Sequence, residues 1–269
     1  MQPQDQSPGV QTLLVVGGTS GIGRGVAEHF ARLGARVAVA GRSADKLAET
    51  LGSLRHLGGE AEGFTADVRQ PEALSEGVEA LCQAWGPLDL VVSAAAGNFP
   101  ALAAKMSPNA FRSVVEIDLL GSFHVLQAVY PHLKRPGASV IHISAPQAQV
   151  PMAGQAHVCA AKAGVDMLSS SLALECGSVG LSVNSVIPGP IEGTEGMQRL
   201  APSDAQREQV RLSVPLRRLG SARDIAQACQ FLASPQAAYI TGAVLPVDGG
   251  WSLGGVAQMG ANLGRELGL

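Results

Sequence analysis

The sequence predicts a single-domain α/β protein in which a mainly parallel, seven-stranded sheet carries helices on both faces. Two observations predict this doubly wound class. Short runs of Val, Leu and Ile alternate with longer segments of helical periodicity along the chain, which is the pattern of strands joined by helical crossovers. Most of the runs are continuously apolar rather than alternating, as expected for strands that helices cover on both sides.

The predicted elements follow one another regularly. The strands are Thr12 to Val16, Val37 to Ala40, Ala61 to Thr65, Leu88 to Val92, Ser139 to Ile143, Leu181 to Val186 and Ala243 to Val247. The helices between them begin near Gly21, Ser43, Pro71, Ser107, Gln155 and Ala222. Right-handed crossovers then place these helices on both faces of the sheet.

The chain shows no change of composition that would separate a second domain. Residues 1–10 are predicted to be a flexible tail, and residues 11–269 are predicted to form the domain. The polar, helical stretch from Glu192 to Val214 interrupts the alternation of strands and helices. We expect a substrate lid there, at residues 192–216.

Composition argues against several classes of function. The net charge is −3 and only 15% of the residues are charged, so we expect no basic surface for nucleic acid. No apolar run reaches the ~18 residues of a membrane span, and the polar N-terminus lacks the features of a signal peptide. We therefore expect a cytoplasmic protein. The four cysteines lie too far apart for metal-ligand spacing, so no metal site is expected.

A glycine-rich turn joins the first predicted strand to the first helix. Its residues include Gly17, Thr19, Ser20, Gly21, Ile22 and Gly23. Glycines in such a turn let backbone N–H groups approach a pyrophosphate, and the positive end of the helix dipole faces the same group. Because a strand precedes the turn and a helix follows it, we expect a dinucleotide site of the Rossmann type rather than a merely structural turn.

The second strand ends where dinucleotide-binding folds distinguish NADP(H) from NAD(H). Arg42 and Ser43 offer a guanidinium and a hydroxyl there, which favours the 2′-phosphate of NADPH. The alternative is that Arg42 is a solvated charge and that Ser43 only caps the next helix. Past the third strand, Asp67 and Val68 are expected to contact adenine, Asp67 by accepting from its amino group. Asp67 capping a turn is the alternative.

Further motifs accompany the glycine turn. They are the turn ending at Gly97, Asn184-Ser185-Val186-Ile187-Pro188-Gly189-Pro190, Thr241-Gly242 and Val247-Asp248-Gly249-Gly250. With these motifs the chain from Thr12 to Trp251 resembles the short-chain dehydrogenase/reductase family. The resemblance implies further cofactor contacts. They fall on Ala95, Gly97, Lys162, Pro188, Gly189 and Ile191.

The catalytic set usual in that family is only partly present. The set consists of a Ser, a Tyr, a Lys four residues after the Tyr, and an Asn in the preceding long helix. Lys162 is present, but Val158 stands where the tyrosine is expected. Ala145 occupies the serine position, and Asp118 occupies the asparagine position.

These departures match one branch of the family. The segments Ala95 to Phe99, Ser107 to Phe111 and Pro188 to Gly196 resemble 2,4-dienoyl-CoA reductases, especially the peroxisomal type. In that type an Asp and a Lys serve in place of the catalytic tyrosine. His157, five residues before Lys162, also matches the sequence of that type. Ser93-Ala94 departs from the branch, as does the C-terminal segment 266–269, which is no peroxisomal address.

The resemblance implies NADPH-dependent reduction of a 2,4-dienoyl-CoA in fatty-acid degradation by β-oxidation. Hydride delivered to the far carbon of the conjugated thioester leaves a dienolate, which is less basic at oxygen than the alkoxide formed from a ketone. A water can protonate the dienolate on carbon. We hypothesise that Lys162 holds the nicotinamide ribose and that Asp118 orients this water. A purely structural ion pair is the alternative.

Substrate contacts are expected at the carboxyl ends of the strands, where ligands of open α/β sheets bind. The expected residues are Asn98, Phe99, Ser144 and Gly193. Core packing is the alternative for Phe99. Arginines in and beside the lid offer a cationic rim for the phosphates of CoA or, alternatively, a solvated helix face. They are Arg199, Arg207, Arg211, Arg217 and Arg218.

Two other functions stay open at this point. One is a carbonyl reductase of the same fold that uses another acid, and the missing tyrosine counts against it. The other is a catalytically silent NADP(H)-binding protein, and the presence of Asp118 and Lys162 counts against it. The family resemblance also implies a homotetramer that assembles through the long helices near Ser107 to Leu133 and Gln155 to Cys176.

Overall fold

A computed structural model describes residues 9–269 of the protein. Residues 1–8, which make up most of the predicted N-terminal tail, lie outside the described residues. The first strand, β1, spans Thr12–Val16 and is buried along its whole length.

Seven strands form one sheet in which neighbouring strands run parallel. After β1 they are β2 (Arg36–Gly41), β3 (Ala61–Thr65), β4 (Leu90–Ser93), β5 (Ser139–Ile143), β6 (Ser182–Pro188) and β7 (Val244–Val247). Their order across the sheet is β3-β2-β1-β4-β5-β6-β7. The predicted doubly wound α/β class is confirmed, and each predicted strand is found with its ends within two residues of the predicted bounds.

Ten α-helices lie within residues 9–269. They are α1 (Gly21–Arg32), α2 (Ala44–His56), α3 (Pro71–Trp85), α4 (Pro108–Val115), α5 (Gly121–Val129), α6 (Ala156–Cys176), α7 (Glu195–Leu200), α8 (Asp204–Ser213), α9 (Ala222–Leu232) and α10 (Gly255–Glu266). The six predicted helix starts agree with α1, α2, α3, α4, α6 and α9 to within one residue. In the described part of the chain, no helix combines the length and the apolar character needed to cross a membrane.

Two helical regions differ from the expectation. The helix expected from Ser107 to Leu133 is divided, because a π-helical segment at Glu116–Leu120 separates α4 from α5. Helix α10 is not predicted from the sequence at all. Its glycines explain why, since each glycine destabilises a helix by about 1 kcal/mol relative to alanine. Packing against the rest of the domain offsets that cost. They are Gly255, Gly260 and Gly264.

The sheet separates two hydrophobic layers. Successive strand residues point to opposite faces, so Leu14 packs with α3, α5 and α6 while Leu13 packs with α1, α2 and α9. A smaller third cluster joins α7 and α8 to α10, with Met197 and Met259 among its members. The segment predicted to form a lid therefore has its own apolar contacts, apart from the main core.

The strand order reverses between β1 and β4. From β1 the chain moves outward to β2 and β3, and from β4 it moves outward in the other direction to β7. The loops that leave β1 and β4 therefore diverge, which opens a crevice at the carboxyl ends of these strands. The candidate site lies in this crevice.

Candidate active site

A cavity of about 590 Å³ occupies the crevice. Its lining includes all the residues predicted for catalysis and cofactor binding, and all those predicted for substrate except Phe99. These residues are Gly17, Thr19, Ser20, Gly21, Ile22, Gly23, Arg42, Ser43, Asp67, Val68, Ala95, Gly97, Asn98, Asp118, Ser144, Lys162, Pro188, Gly189, Ile191 and Gly193. The fold thus brings the loops after the first six strands, helices α1 and α6, and the π-helical segment Glu116–Leu120 to one cavity.

The glycine turn between β1 and α1 forms part of the cavity wall. Gly17 has φ +81° and Gly21 has φ +50°, a left-handed backbone that favours glycine. A Cβ on Gly23 would lie 2.2 Å from the carbonyl oxygen of Gly17. Within the described chain, Ser20 makes no side-chain cap on α1, so the first N–H groups of α1 can bind an anion. This cradle fits a pyrophosphate.

The loops after β2 and β3 form the rim where adenosine is expected. Arg42 is exposed at this rim. Ser43 accepts a hydrogen bond from the Lys46 backbone N–H at 3.3 Å and caps α2. Asp67 Oδ2 lies 2.6 Å from Arg69 Nη2, and Asp67 Oδ1 accepts from the Arg69 backbone N–H at 3.0 Å. Hydrogen bonding by the Arg69 side chain lowers the pKa of Asp67. The structure therefore shows the alternative role named for each residue: Ser43 caps α2, and Asp67 caps the turn that leads to Arg69.

Asp118 and Lys162 meet inside the cavity. Lys162 Nζ lies 3.3 Å from Asp118 Oδ2 and donates a hydrogen bond of 2.9 Å to the carbonyl oxygen of Ile143. Asp118 Oδ1 accepts a hydrogen bond of 2.7 Å from the backbone N–H of Gly97. Asp118 is 0% exposed and Lys162 is 4% exposed. Loss of either partner would leave a buried charge without compensation.

Local structure explains how the two side chains come together. Asp118 belongs to the π-helical segment Glu116–Leu120, an irregularity that occurs frequently at functional sites. Lys162 projects from α6, and Val158 lies one turn before it on the same face. Val158 is buried and lines the cavity. An apolar side chain therefore occupies the place where the family presents an acidic hydroxyl.

A buried polar network lies behind the ion pair, between β5, β6 and α6. His142 Nδ1 lies 2.9 Å from Ser169 Oγ, and Ser185 Oγ donates to Ser169 Oγ at 2.9 Å. Burial, assisted by the charge of Lys162, lowers the pKa of His142 to about 4. The imidazole is therefore neutral near pH 7.

Asp166 adds a carboxyl group to this buried region. It lies one turn after Lys162 on α6 and is 9% exposed. Neither of its carboxylate oxygens has a hydrogen-bond partner in the described structure. Burial raises the pKa of Asp166, while the hydroxyls of Ser144 and Ser185 lower it. Ser144, predicted to bind substrate, lines the cavity, and its buried hydroxyl has no hydrogen-bond partner within residues 9–269.

Phe99, predicted to bind substrate, lies outside the cavity lining. Its ring packs on His157 with the ring centroids 4.4 Å apart, next to Val114 and Val158. Core packing is thus what the structure shows for Phe99. His157 is fully buried, and neither of its ring nitrogens has a hydrogen bond among residues 9–269. Burial lowers the pKa of His157, which keeps the ring neutral.

Helix α7 lies in the segment predicted to form a lid and is bonded to both sides of the cavity mouth. Glu195 lies 3.2 Å from Lys46 Nζ and 3.1 Å from Arg199 Nη2, and Arg199 Nη1 donates to the carbonyl oxygen of Asn98 at 2.5 Å. Of the five arginines proposed for a cationic rim, only Arg199 lines the cavity. Three of the others form ion pairs outside the cavity, Arg207 with Asp204, Arg211 with Glu208 and Arg218 with Asp224. Arg217 donates a hydrogen bond to the carbonyl oxygen of Leu212.

Sequence reasoning missed two groups of residues. Asp166 could have been found from its four-residue spacing to Lys162 on a helix. The apolar part of the cavity lining could not, because it depends on how α7 and the unpredicted α10 pack together. The apolar residues missed in this way are Met197, Leu200, Trp251 and Met259.

Comparison with known proteins now identifies the class to which this fold and site belong. The family model described as enoyl-(acyl carrier protein) reductase matches residues 16–252. The chain belongs to the short-chain dehydrogenase/reductase family and is an oxidoreductase of the kind that uses a nicotinamide cofactor.

Relatives along most of the chain are more specific. The chain is 40% identical over 245 residues to a Saccharomyces cerevisiae protein named peroxisomal 2,4-dienoyl-CoA reductase, covering 89% of this chain and 84% of the relative. It is 38% identical over 244 residues to a probable 2,4-dienoyl-CoA reductase of Bacillus subtilis, covering 89% and 96%. A short-chain dehydrogenase/reductase structure from Mycobacterium ulcerans matches with a TM-score of 0.87 at 31% identity, covering 96% and 98%. The predicted resemblance is confirmed.

The same comparison corrects the predicted cytoplasmic location. Relatives from Saccharomyces cerevisiae, Arabidopsis thaliana and Danio rerio are named peroxisomal. The prediction relied on hydropathy, which detects membrane spans and apolar signal peptides. Addresses that a receptor recognises need no apolar segment, so hydropathy carries no information about them.

Proposed function

We propose that the protein uses NADPH to reduce the conjugated diene of a 2,4-dienoyl-CoA, as a step of fatty-acid β-oxidation. One observation carries the proposal: a buried Asp118–Lys162 pair lies in the cavity while Val158 occupies the tyrosine position. Reduction of a ketone needs an acid beside the oxygen, and a valine supplies none. Reduction of a dienoyl thioester needs only a stabilised dienolate and a proton delivered to carbon. The names of the relatives support this substrate class.

The residues present fit NADPH. The glycine turn would hold the pyrophosphate, because Gly23 has no space for a Cβ and the first N–H groups of α1 face the cavity. Arg42 would bind the 2′-phosphate, for which an exposed guanidinium is well suited. When bound, NADPH supplies the hydride.

Lys162 has two roles in the proposed mechanism. An ammonium group has three N–H donors, of which one binds Ile143 O and another faces Asp118. The third is available to a ribose hydroxyl of the cofactor. The buried positive charge also favours negative charge on the thioester oxygen, because a charge is screened less in a buried site than in bulk water.

Asp118 would position the proton donor. Its Oδ1 is held by the backbone N–H of Gly97, and its Oδ2 accepts no hydrogen bond within residues 9–269 apart from the 3.3 Å ion pair with Lys162. The remaining lone pairs of Oδ2 can hold a water. This water gives a proton to the dienolate carbon and regains one from solvent, so Asp118 itself transfers no proton.

The proposal is tested by following NADPH oxidation with 2,4-hexadienoyl-CoA and with a panel of ketones. The wild-type protein should reduce the thioester and leave the ketones unchanged. Asp118→Asn should lower kcat by about 10²- to 10⁴-fold, the usual contribution of acid–base catalysis, with little change in NADPH affinity. Lys162→Met should weaken NADPH binding as well. Lys134→Met is the matched control, since Lys134 pairs with Asp89 at the surface.

Three results would contradict the proposal, provided that circular dichroism shows folded protein. Oxidation of NADPH with ketones alone would indicate a carbonyl reductase. Tight NADPH binding without turnover of any substrate would indicate a silent binding protein. A kcat of Asp118→Asn equal to that of the wild-type protein would show that Asp118 takes no part in the mechanism.

We also propose a homotetramer that assembles through α4, α5 and α6. Large apolar side chains on these helices and the π-helical segment are exposed in the single chain, as is typical of interaction surfaces. They are Phe111, Leu120, Phe123, Met167 and Leu174, and Tyr130 is exposed directly after the end of α5. Light scattering on the purified protein should give four times the mass of the chain. A monomeric mass would refute the assembly.

A further inference from the structure

One part of the cavity is apolar and is built by the lid and the C-terminal helix. Met197 and Leu200 of α7 line it together with Trp251 and Met259. These side chains belong to the third hydrophobic cluster or pack against it. Trp251 Nε1 donates to Ser213 Oγ at 2.9 Å, which ties the C-terminal segment to α8. The apolar part is therefore a defined pocket rather than an open surface.

A second cavity of about 300 Å³ lies between α8 and α10. Its buried floor includes Ala201, Val210 and Leu263. Its rim is polar and exposed, with Gln209 and Gln258 among its residues. An apolar floor with a wet rim suits the end of a hydrocarbon chain whose tip approaches solvent.

Only two residues line both cavities in the described structure, Leu200 and Met259. These two side chains therefore stand at the boundary between the two cavities. Methionine has three rotatable bonds and adapts readily to a neighbouring ligand. A change of rotamer at Met259 would join the two spaces.

The volumes indicate why joining would be needed. Single ligands of drug size occupy pockets of about 300–1,000 Å³. The first cavity, at about 590 Å³, must accept both NADPH and the reacting end of an acyl-CoA under the proposed function. Little of it is then left for the rest of a long acyl chain. The adjoining cavity of about 300 Å³ supplies that space.

We propose that the cavity between α8 and α10 receives the distal end of long acyl chains and that Met259 and Leu200 form the gate to it. This inference rests on the proposed dienoyl-CoA reductase function and extends it to chain length. Short chains end before the gate, so kcat/KM for them does not depend on it. Long chains displace the Met259 side chain and gain affinity from each methylene that they bury, about fourfold for each.

The test compares kcat/KM for 2,4-hexadienoyl-CoA and 2,4-hexadecadienoyl-CoA at saturating NADPH. Gln209→Trp fills the second cavity from its exposed rim and should lower the long-to-short ratio at least tenfold. Met259→Ala opens the gate and should raise the ratio. Leu253→Ala is the matched control, because Leu253 is exposed on the same segment and lines neither cavity.

Each outcome decides one question. A ratio that stays at the wild-type value in Gln209→Trp overturns the gate, even if Met259→Ala does not fold. Absence of any dienoyl-CoA turnover by the wild-type protein refutes the proposed function instead. The gate is then still tested by binding, with palmitoyl-CoA and hexanoyl-CoA as probes and isothermal titration calorimetry as the measurement. Equal loss of affinity for both probes in Gln209→Trp would overturn it.

Discussion

Replacing His142 with glutamine should make the folded state less sensitive to acid. His142 is fully buried on β5, with Nδ1 2.9 Å from Ser169 Oγ. Burial and the nearby Lys162 charge lower its pKa to about 4. Glutamine keeps a polar group beside Ser169 but has no proton to bind in this pH range. The variant therefore separates the titration of His142 from its packing.

The size of the effect follows from linkage. An unfolded histidine titrates at 6.5 and the folded one at about 4. Between these values the unfolded chain binds a proton that the folded chain does not, so acid favours unfolding. The stabilising contribution is complete above pH ~6.5 and is lost as the pH falls toward ~4. At ~1.36 kcal/mol per pH unit it amounts to about 3 kcal/mol, or about 6–12 °C in Tm for a domain of this size.

Urea unfolding at pH 7 and at pH 4.5 measures the effect. Between these pH values the free energy of unfolding should fall by about 2–3 kcal/mol more in the wild-type protein than in His142→Gln. His56→Gln serves as the control because His56 is exposed at the end of α2, and it should behave like the wild type. Equal acid losses in the wild type and in His142→Gln would refute the assignment of a neutral, buried imidazole.

Three further predictions concern the cofactor cradle and the buried carboxyl. Gly23→Ala should weaken NADPH binding on the order of tenfold, since its Cβ would lie 2.2 Å from Gly17 O. Gly52→Ala, where a Cβ meets open space, should leave binding unchanged in the same titration. Arg42→Ala should lower the preference for NADPH over NADH, as a ratio of kcat/KM, by roughly 10- to 100-fold; an unchanged ratio would remove Arg42 from the 2′-phosphate site. Because burial raises the pKa of Asp166, the unfolded chain loses this proton first as pH rises. Asp166→Asn should then be more stable than the wild type in urea at pH 8, and a less stable variant would contradict this.

Much of the fold could be predicted because its signals are local. Continuous apolar runs mark strands covered on both faces, and capping residues such as Ser43 and Ser107 mark where helices begin. Helix α10 escaped prediction because its three glycines hide a helix that packing stabilises. The π-helical segment Glu116–Leu120 escaped as well, since its Glu, Ile, Asp and Leu residues are all tolerated by an ordinary α-helix.

The candidate site could be predicted only in part. Asp118 and Lys162 are far apart in the sequence, and the resemblance to a family, not their spacing, indicated that they would meet. Phe99 shows the opposite case: its place after β4 suggested a substrate contact, but its ring turned toward His157. The direction of a loop side chain depends on which neighbour it can pack against, and that neighbour lies on another element.

The amino-acid sequence by itself determined the parallel sheet, the glycine cradle and the absence of a tyrosine four residues before Lys162. Each of these depends on residues within one turn or one strand. Only the tertiary structure decided how Asp166 and His142 are buried, and that Leu200 and Met259 separate two cavities. Burial, pKa and cavity shape arise where distant segments meet and exclude water, so no local pattern contains them.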